Sequence, residues 1–135
     1  MGFKGKVLRF LRVAVLATLI LSIASSQGWS DVSFYIDENN GVIGYGLAEK
    51  LKDARDIAYD DCIENGGVSP VDAGFSKKPG WGAISAWYEG SSWAVGTTAS
   101  KPTKKQAKKR AKHWCKFYGG QDCQIIAVFH DTYTK

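Results

Sequence analysis

Residues 54–67, Ala-Arg-Asp-Ile-Ala-Tyr-Asp-Asp-Cys-Ile-Glu-Asn-Gly-Gly, are echoed by residues 107–120, Ala-Lys-Lys-Arg-Ala-Lys-His-Trp-Cys-Lys-Phe-Tyr-Gly-Gly. Ala54, Ala58, Cys62, Gly66 and Gly67 match Ala107, Ala111, Cys115, Gly119 and Gly120, each pair 53 residues apart. The spacing of small residues every four positions marks one face of a helix, narrow enough to lie close on a sheet. A glycine just beyond the cysteine suits the left-handed residue that closes a helix. Two such helices in one register are read as a duplicated unit.

An aromatic segment precedes each helix: Trp29-Ser-Asp-Val-Ser-Phe-Tyr35, then Trp81-Gly-Ala-Ile-Ser-Ala-Trp-Tyr88. Val32, Phe34 and Ile36 alternate up to Asp37-Glu-Asn-Asn-Gly41, where Asn-Gly signals a turn, and Val42 to Gly46 returns. In the second unit the turn falls at Glu89-Gly-Ser-Ser92, with Trp93 to Gly96 coming back. Leu47, Leu51, Ala54, Ala58 and Cys62 form the expected apolar stripe of the first helix. Thr103 and Gln106 form a capping box for the second, whose expected buried face is Ala107, Ala111, Trp114, Cys115 and Tyr118. Cys123 to Phe129 is a near-continuous apolar run, expected to be central in its sheet, while Val68 to Phe75, interrupted by Pro70 and Gly74, is expected to be weaker or at an edge. The predicted fold is α+β: two tandem hairpin-helix-strand (ββαβ) units, about 29–75 and 81–130, in one compact domain.

The chain has 135 residues, 44% hydrophobic and 23% charged, which excludes a multidomain enzyme, a disordered chain and a coiled coil. Residues 1–26 read as a signal peptide: Lys4, Lys6, Arg9 and Arg12 precede an apolar run from Val13 to Ile23, followed by small Ala24-Ser-Ser26. That run is too short to span a bilayer as a helix, which needs about 20 residues. Residues 27–135 would then form a single domain, secreted or periplasmic. Removal of the signal changes the net charge from +5 to +1. The remaining charge is polarised: residues 28–100 carry 5 bases and 11 acids, and residues 101–135 carry 9 bases and 2 acids.

Export invites a disulfide. Cys115 ends the second helix and Cys123 opens the strand beyond the double-glycine turn, so the chain doubles back and their side chains can face each other. The competing reading keeps both as reduced core thiols. Cys62 has Pro70 at its matching partner position, leaving a buried thiol or a handle for intermolecular linkage.

The paired alanine-spaced helices, their cysteines, the double glycines, Cys123 and Trp81-Gly-Ala-Ile-Ser85 resemble a family of small secreted bacterial proteins, domain of unknown function 4189. The resemblance runs from about Trp29 to Phe129. It implies a bond between the helix cysteine and the strand after the turn, here Cys115–Cys123. The chain departs from the family at Pro70 and at Trp81, where members often carry another cysteine. The resemblance implies no activity.

No catalytic constellation is expected. His113 and Cys115 point to different faces of a helix, and His130 and Asp131 to opposite faces of a strand. Asp53, Asp56, Asp60 and Asp61 are read as a solvated acidic face, and no cofactor or metal is implied. The sharpest feature is cationic: Lys101, Lys104, Lys105, Lys108, Lys109, Arg110, Lys112 and Lys116 crowd the face opposite Ala107, Ala111 and Cys115. Repulsion between like charges four residues apart costs about 0.2–0.5 kcal/mol per pair, so local stability does not explain them. They are either a solvated face balancing the acidic first unit or a surface for an acidic protein or anionic envelope component. Nucleic acid is disfavoured by export and the small mature charge. Trp87 and Tyr88 offer an aromatic surface, since adjacent strand residues cannot both face the core. The expected function is that of an exported, non-enzymatic binding protein, neutralising a toxin or acting at the cell envelope through the basic helix. The alternatives are a secreted effector or enzyme with an unfamiliar site, and a structural envelope component.

Overall fold

A computed structural model describes residues 31–132. The expected signal peptide at 1–26 lies outside them. The elements are β1 (Asp31–Asp37), β2 (Val42–Ala48), α1 (Leu51–Glu64), β3 (Val71–Ser76), β4 (Gly80–Glu89), β5 (Ser92–Lys101), α2 (Lys104–Phe117) and β6 (Gln124–Asp131). They form two ββαβ units, as the α+β reading anticipates. Each unit has one antiparallel three-stranded sheet, in the orders β2-β1-β3 and β5-β4-β6.

Alternation along the strands explains the layering. Val32, Phe34 and Ile43 of the first sheet pack with Ile84, Ala86, Val95 and Phe129 of the second in one shared core. The opposite faces carry the helices: Ala83 packs with Ala107 and Ala111, and Ala94 with Cys115 and Cys123. Two sheets therefore stack face to face with a helix outside each.

Small residues set the helix-to-sheet distance. A Cβ at Gly44 would collide with the α1 backbone at Ala58 and Cys62, and one at Gly96 with the α2 backbone at Ala111 and Cys115. Ala54, Ala58 and Cys62, like Ala107, Ala111 and Cys115, have no exposed surface. Both helices end identically. Gly66 and Gly119, at φ +105° and +100°, donate to Ile63 and Lys116, and the following glycines donate to Cys62 and Cys115 at 2.9 Å. This is the Schellman closure. The starts differ: Thr103 Oγ1 accepts from the Gln106 amide at 3.2 Å, whereas Lys50 supplies no side-chain cap to α1.

Several expectations are corrected. Leu47 belongs to β2, because the β1–β2 ladder runs on to Asp31 and Ala48, and α1 begins only at Leu51. Tyr118 is 64% exposed, since the helix stops at Phe117 and Tyr118 is its C-cap, while Trp114 is only half-buried. The strand after Cys123 is an edge, not central: the first strand of each unit pairs with both others. β6 is nonetheless apolar because both its faces are covered, Ile125 and Val128 against the α2 side, Ile126, Ala127 and Phe129 against the shared core. β3 is also an edge, as its Pro70 and Gly74 suggest, and most of it is exposed.

Candidate functional site: the cationic helix α2

The sequence of α2, Lys-Lys-Gln-Ala-Lys-Lys-Arg-Ala-Lys-His-Trp-Cys-Lys-Phe, contains six lysines, one arginine and no acid. Its apolar stripe is committed to the sheet, so the cations point along the flanks and outward, except Lys104, which lies in line with the stripe in the first turn and reaches toward the Trp81 ring. Lys104, Lys105, Lys109, Arg110, Lys112 and Lys116 are exposed and Lys101 and Lys108 half-buried. Successive residues are about 100° apart on a helix, so Lys108, Lys112, Lys105 and Lys116 fall on one flank of the outward face. Among the described residues no ion pair neutralises any of them. The contrast with α1 is direct: Lys52 holds Asp56 at 2.9 Å, Arg55 lies 3.4 Å from Asp72, and Asp61 accepts from the Tyr45 amide at 3.0 Å and from the Asn65 side-chain amide at 3.0 Å.

On the other flank lies a group of rings, two of which, Trp114 and Tyr118, the helical spacing places on the buried face. Trp114 meets His113 at 5.5 Å, Phe117 at 5.4 Å and Tyr118 at 6.1 Å between ring centroids, and the Arg110 guanidinium sits 5.1 Å over the Trp114 ring. Phe117 and Tyr118 are 67% and 64% exposed. The signal was present in Trp114-x2-Phe117-Tyr118, but stripe-matching alone does not separate a flank from a buried face. Beside these rings, Lys101, Pro102, Gln106, Lys109, Arg110 and His113 line an open hollow of about 430 Å³. A second, of about 410 Å³, lies across the Lys101-Pro102 segment and includes Ser100, His130 and Asp131.

The other candidate residues are dispersed. His130 stacks on Trp81 at 4.1 Å, and Lys104 Nζ lies 5.9 Å from the same ring, so the two histidines occupy different places and converge on nothing. Among the described residues no three His, Cys, Asp or Glu side chains cluster as metal ligands. Trp87 packs against Ala94, Cys115 and Cys123, whereas Tyr88 turns to the opposite side, where its hydroxyl donates to the Gly41 carbonyl at 2.8 Å. These two rings therefore do not form one aromatic surface. Burial, and after it the neighbouring Cys62, pushes the Tyr88 hydroxyl up to about 12.

Cys115 and Cys123 are joined in a disulfide with their Cα atoms 6.1 Å apart. The bond secures the end of α2 to the start of β6, and with it the base of the cationic face. Cys62 is outside any disulfide and buried, its thiol donating to the Val42 carbonyl at 3.3 Å. Among the described residues no helix is long and apolar enough to cross a membrane.

Neither a curated protein nor a solved structure matches the chain. A family model does, over residues 81–134, which spans β4, β5, α2 and β6 and includes the disulfide and the cationic helix. The likeness is thus narrower than the whole two-unit chain. It is the second ββαβ unit that is similar to the family described as Domain of unknown function (DUF4189).

Proposed function

We propose that this is an exported binding protein whose working surface is the outward face of α2, and that its partner is an anionic macromolecule. One observation carries the reading. A fully cationic helix face is left without ion pairs among the described residues, while α1 of the same chain holds one ion pair within itself, Lys52–Asp56, and one to β3, Arg55–Asp72. The helix dipole does not account for it. Cations suit the last turn, where Lys116 lies, but Lys104 and Lys105 occupy the first turn, where the dipole disfavours them. Export is supported by the disulfide, a bond that persists in oxidising compartments. Neutralising an acidic toxin and acting at the envelope are two uses of the same face.

The test is retention on immobilised poly-L-glutamate as salt is raised. The variant Lys104→Glu/Lys108→Glu/Lys112→Glu should lose retention with little change in melting temperature. The control Lys50→Glu/Lys77→Glu/Lys78→Glu, with the same change in net charge, should keep it. Equal loss in both variants would show that net charge and not α2 holds the polymer, and the proposal would fall.

A further inference from the structure

Resting on that reading, we infer that α2 docks on an anionic phospholipid surface, with phosphates seated against Lys109, Arg110 and His113 and the rings of Trp114, Phe117 and Tyr118 entering the headgroup boundary. Lysines alone would serve any anion, and it is the ring cluster that singles out a membrane. Three aromatic side chains in mutual contact, two of them mostly exposed, adjoin a cationic hollow. Aromatic rings with one polar end favour the membrane–water interface, and nearby lysines and arginines strengthen the attraction to an anionic leaflet. Arg110 over Trp114 and His113 at its edge hold the cationic and aromatic halves together.

The rest of the molecule fits shallow docking of this kind. The Ala107-Ala111-Cys115 stripe is closed against the sheet, so α2 cannot bury that face in lipid and only its aromatic flank can enter. The acidic first unit, with Asp53, Asp56 and Asp60 exposed on α1, would be repelled by the same surface. The charge polarity therefore favours one orientation, with α2 against the headgroups.

The experiment is co-sedimentation with vesicles of equal parts phosphatidylglycerol and phosphatidylcholine, and with phosphatidylcholine alone. The wild type should bind the first and not the second. Phe117→Ser/Tyr118→Ser removes exposed rings only, so the melting temperature should hold while vesicle affinity falls about tenfold and poly-L-glutamate retention persists. Vesicle binding by this variant equal to wild type would overturn the inference. Failure of the wild type to bind phosphatidylglycerol while poly-L-glutamate still retains it would also overturn it, leaving an acidic protein as the partner. Loss of both bindings would defeat the broader reading as well.

Discussion

Asp37 and Trp87 occupy the same station in the two units. Each sits near the end of the central strand, opposite the residue, Val42 or Ala94, whose carbonyl faces the helix cysteine. Trp87 covers the Cys115–Cys123 bond. The first unit has no such bond, and there the Asp37 carboxylate accepts from the Val68 amide at 2.7 Å and the Ser69 amide at 3.3 Å, as well as from Asn39 at 2.9 Å. One unit secures its helix-to-strand turn covalently, the other through a buried carboxylate.

Asp37 should therefore govern acid stability. Its backbone donors, Val68 first and Asn39 next, outweigh burial and hold the carboxyl below its ordinary value of 3.8. Because the folded value is the lower one, the stabilisation is present above about 4 and is lost as pH falls through the folded value. Asp37→Asn should lower the melting temperature at pH 7 and flatten the acid limb of a melting-temperature profile. An unchanged acid limb would reject the role.

Loss of the covalent closure has a different signature. The bond spans a separation of eight residues. On the chain-entropy account, Cys115→Ala/Cys123→Ala should cost about 2–3 kcal/mol in urea denaturation at any pH between 5 and 8. A loss below about 0.5 kcal/mol would show that packing of Trp87 alone secures the turn.

Tyr88 ties the two units across the shared core by donating to Gly41, whose position is covered by the Trp93 ring. Tyr88→Phe should cost about 0.5–1.5 kcal/mol, read as a fall in urea midpoint with unchanged slope. A tyrosine whose folded value is raised keeps its stabilisation below the ordinary value of 10 and loses it as pH rises toward about 12. The alkaline limb should therefore be shallower in Tyr88→Phe, and an identical limb would count against the enclosed hydroxyl.

Neighbours beneath α2 should respond in opposite ways to alanine. Ser85 is fully buried and its hydroxyl has no hydrogen-bond partner, so Ser85→Ala should be neutral or stabilising by up to about 1 kcal/mol. Gly96, its partner across the ladder, lies directly under the α2 backbone, and Gly96→Ala should destabilise by about 2–3 kcal/mol. Thermal unfolding of both variants checks the helix-to-sheet distance, and a stable Gly96→Ala would contradict it.

What the sequence made legible was local. The alanine stripes, the Thr103 cap, the double-glycine closures and the Asn40-Gly41 turn are written in spacing over a few residues, and the structure has each of them. Pairing was harder to read. β6 is apolar because two layers cover it, which in a linear sequence looks the same as a central strand. The clamp by Asp37 joins residues 31 apart, beyond any local pattern. Tyr118 follows Cys115 at helical spacing, yet the helix ends one residue earlier and turns the ring outward. That misplacement concealed the aromatic flank of α2.

The outward face of α2 as the binding surface is tested most directly by amide chemical shifts recorded while poly-L-glutamate is titrated into the labelled protein. Perturbations should concentrate at residues 101–118 and leave residues 51–76 in place. Shifts centred on α1, or spread evenly over both units, would contradict the account.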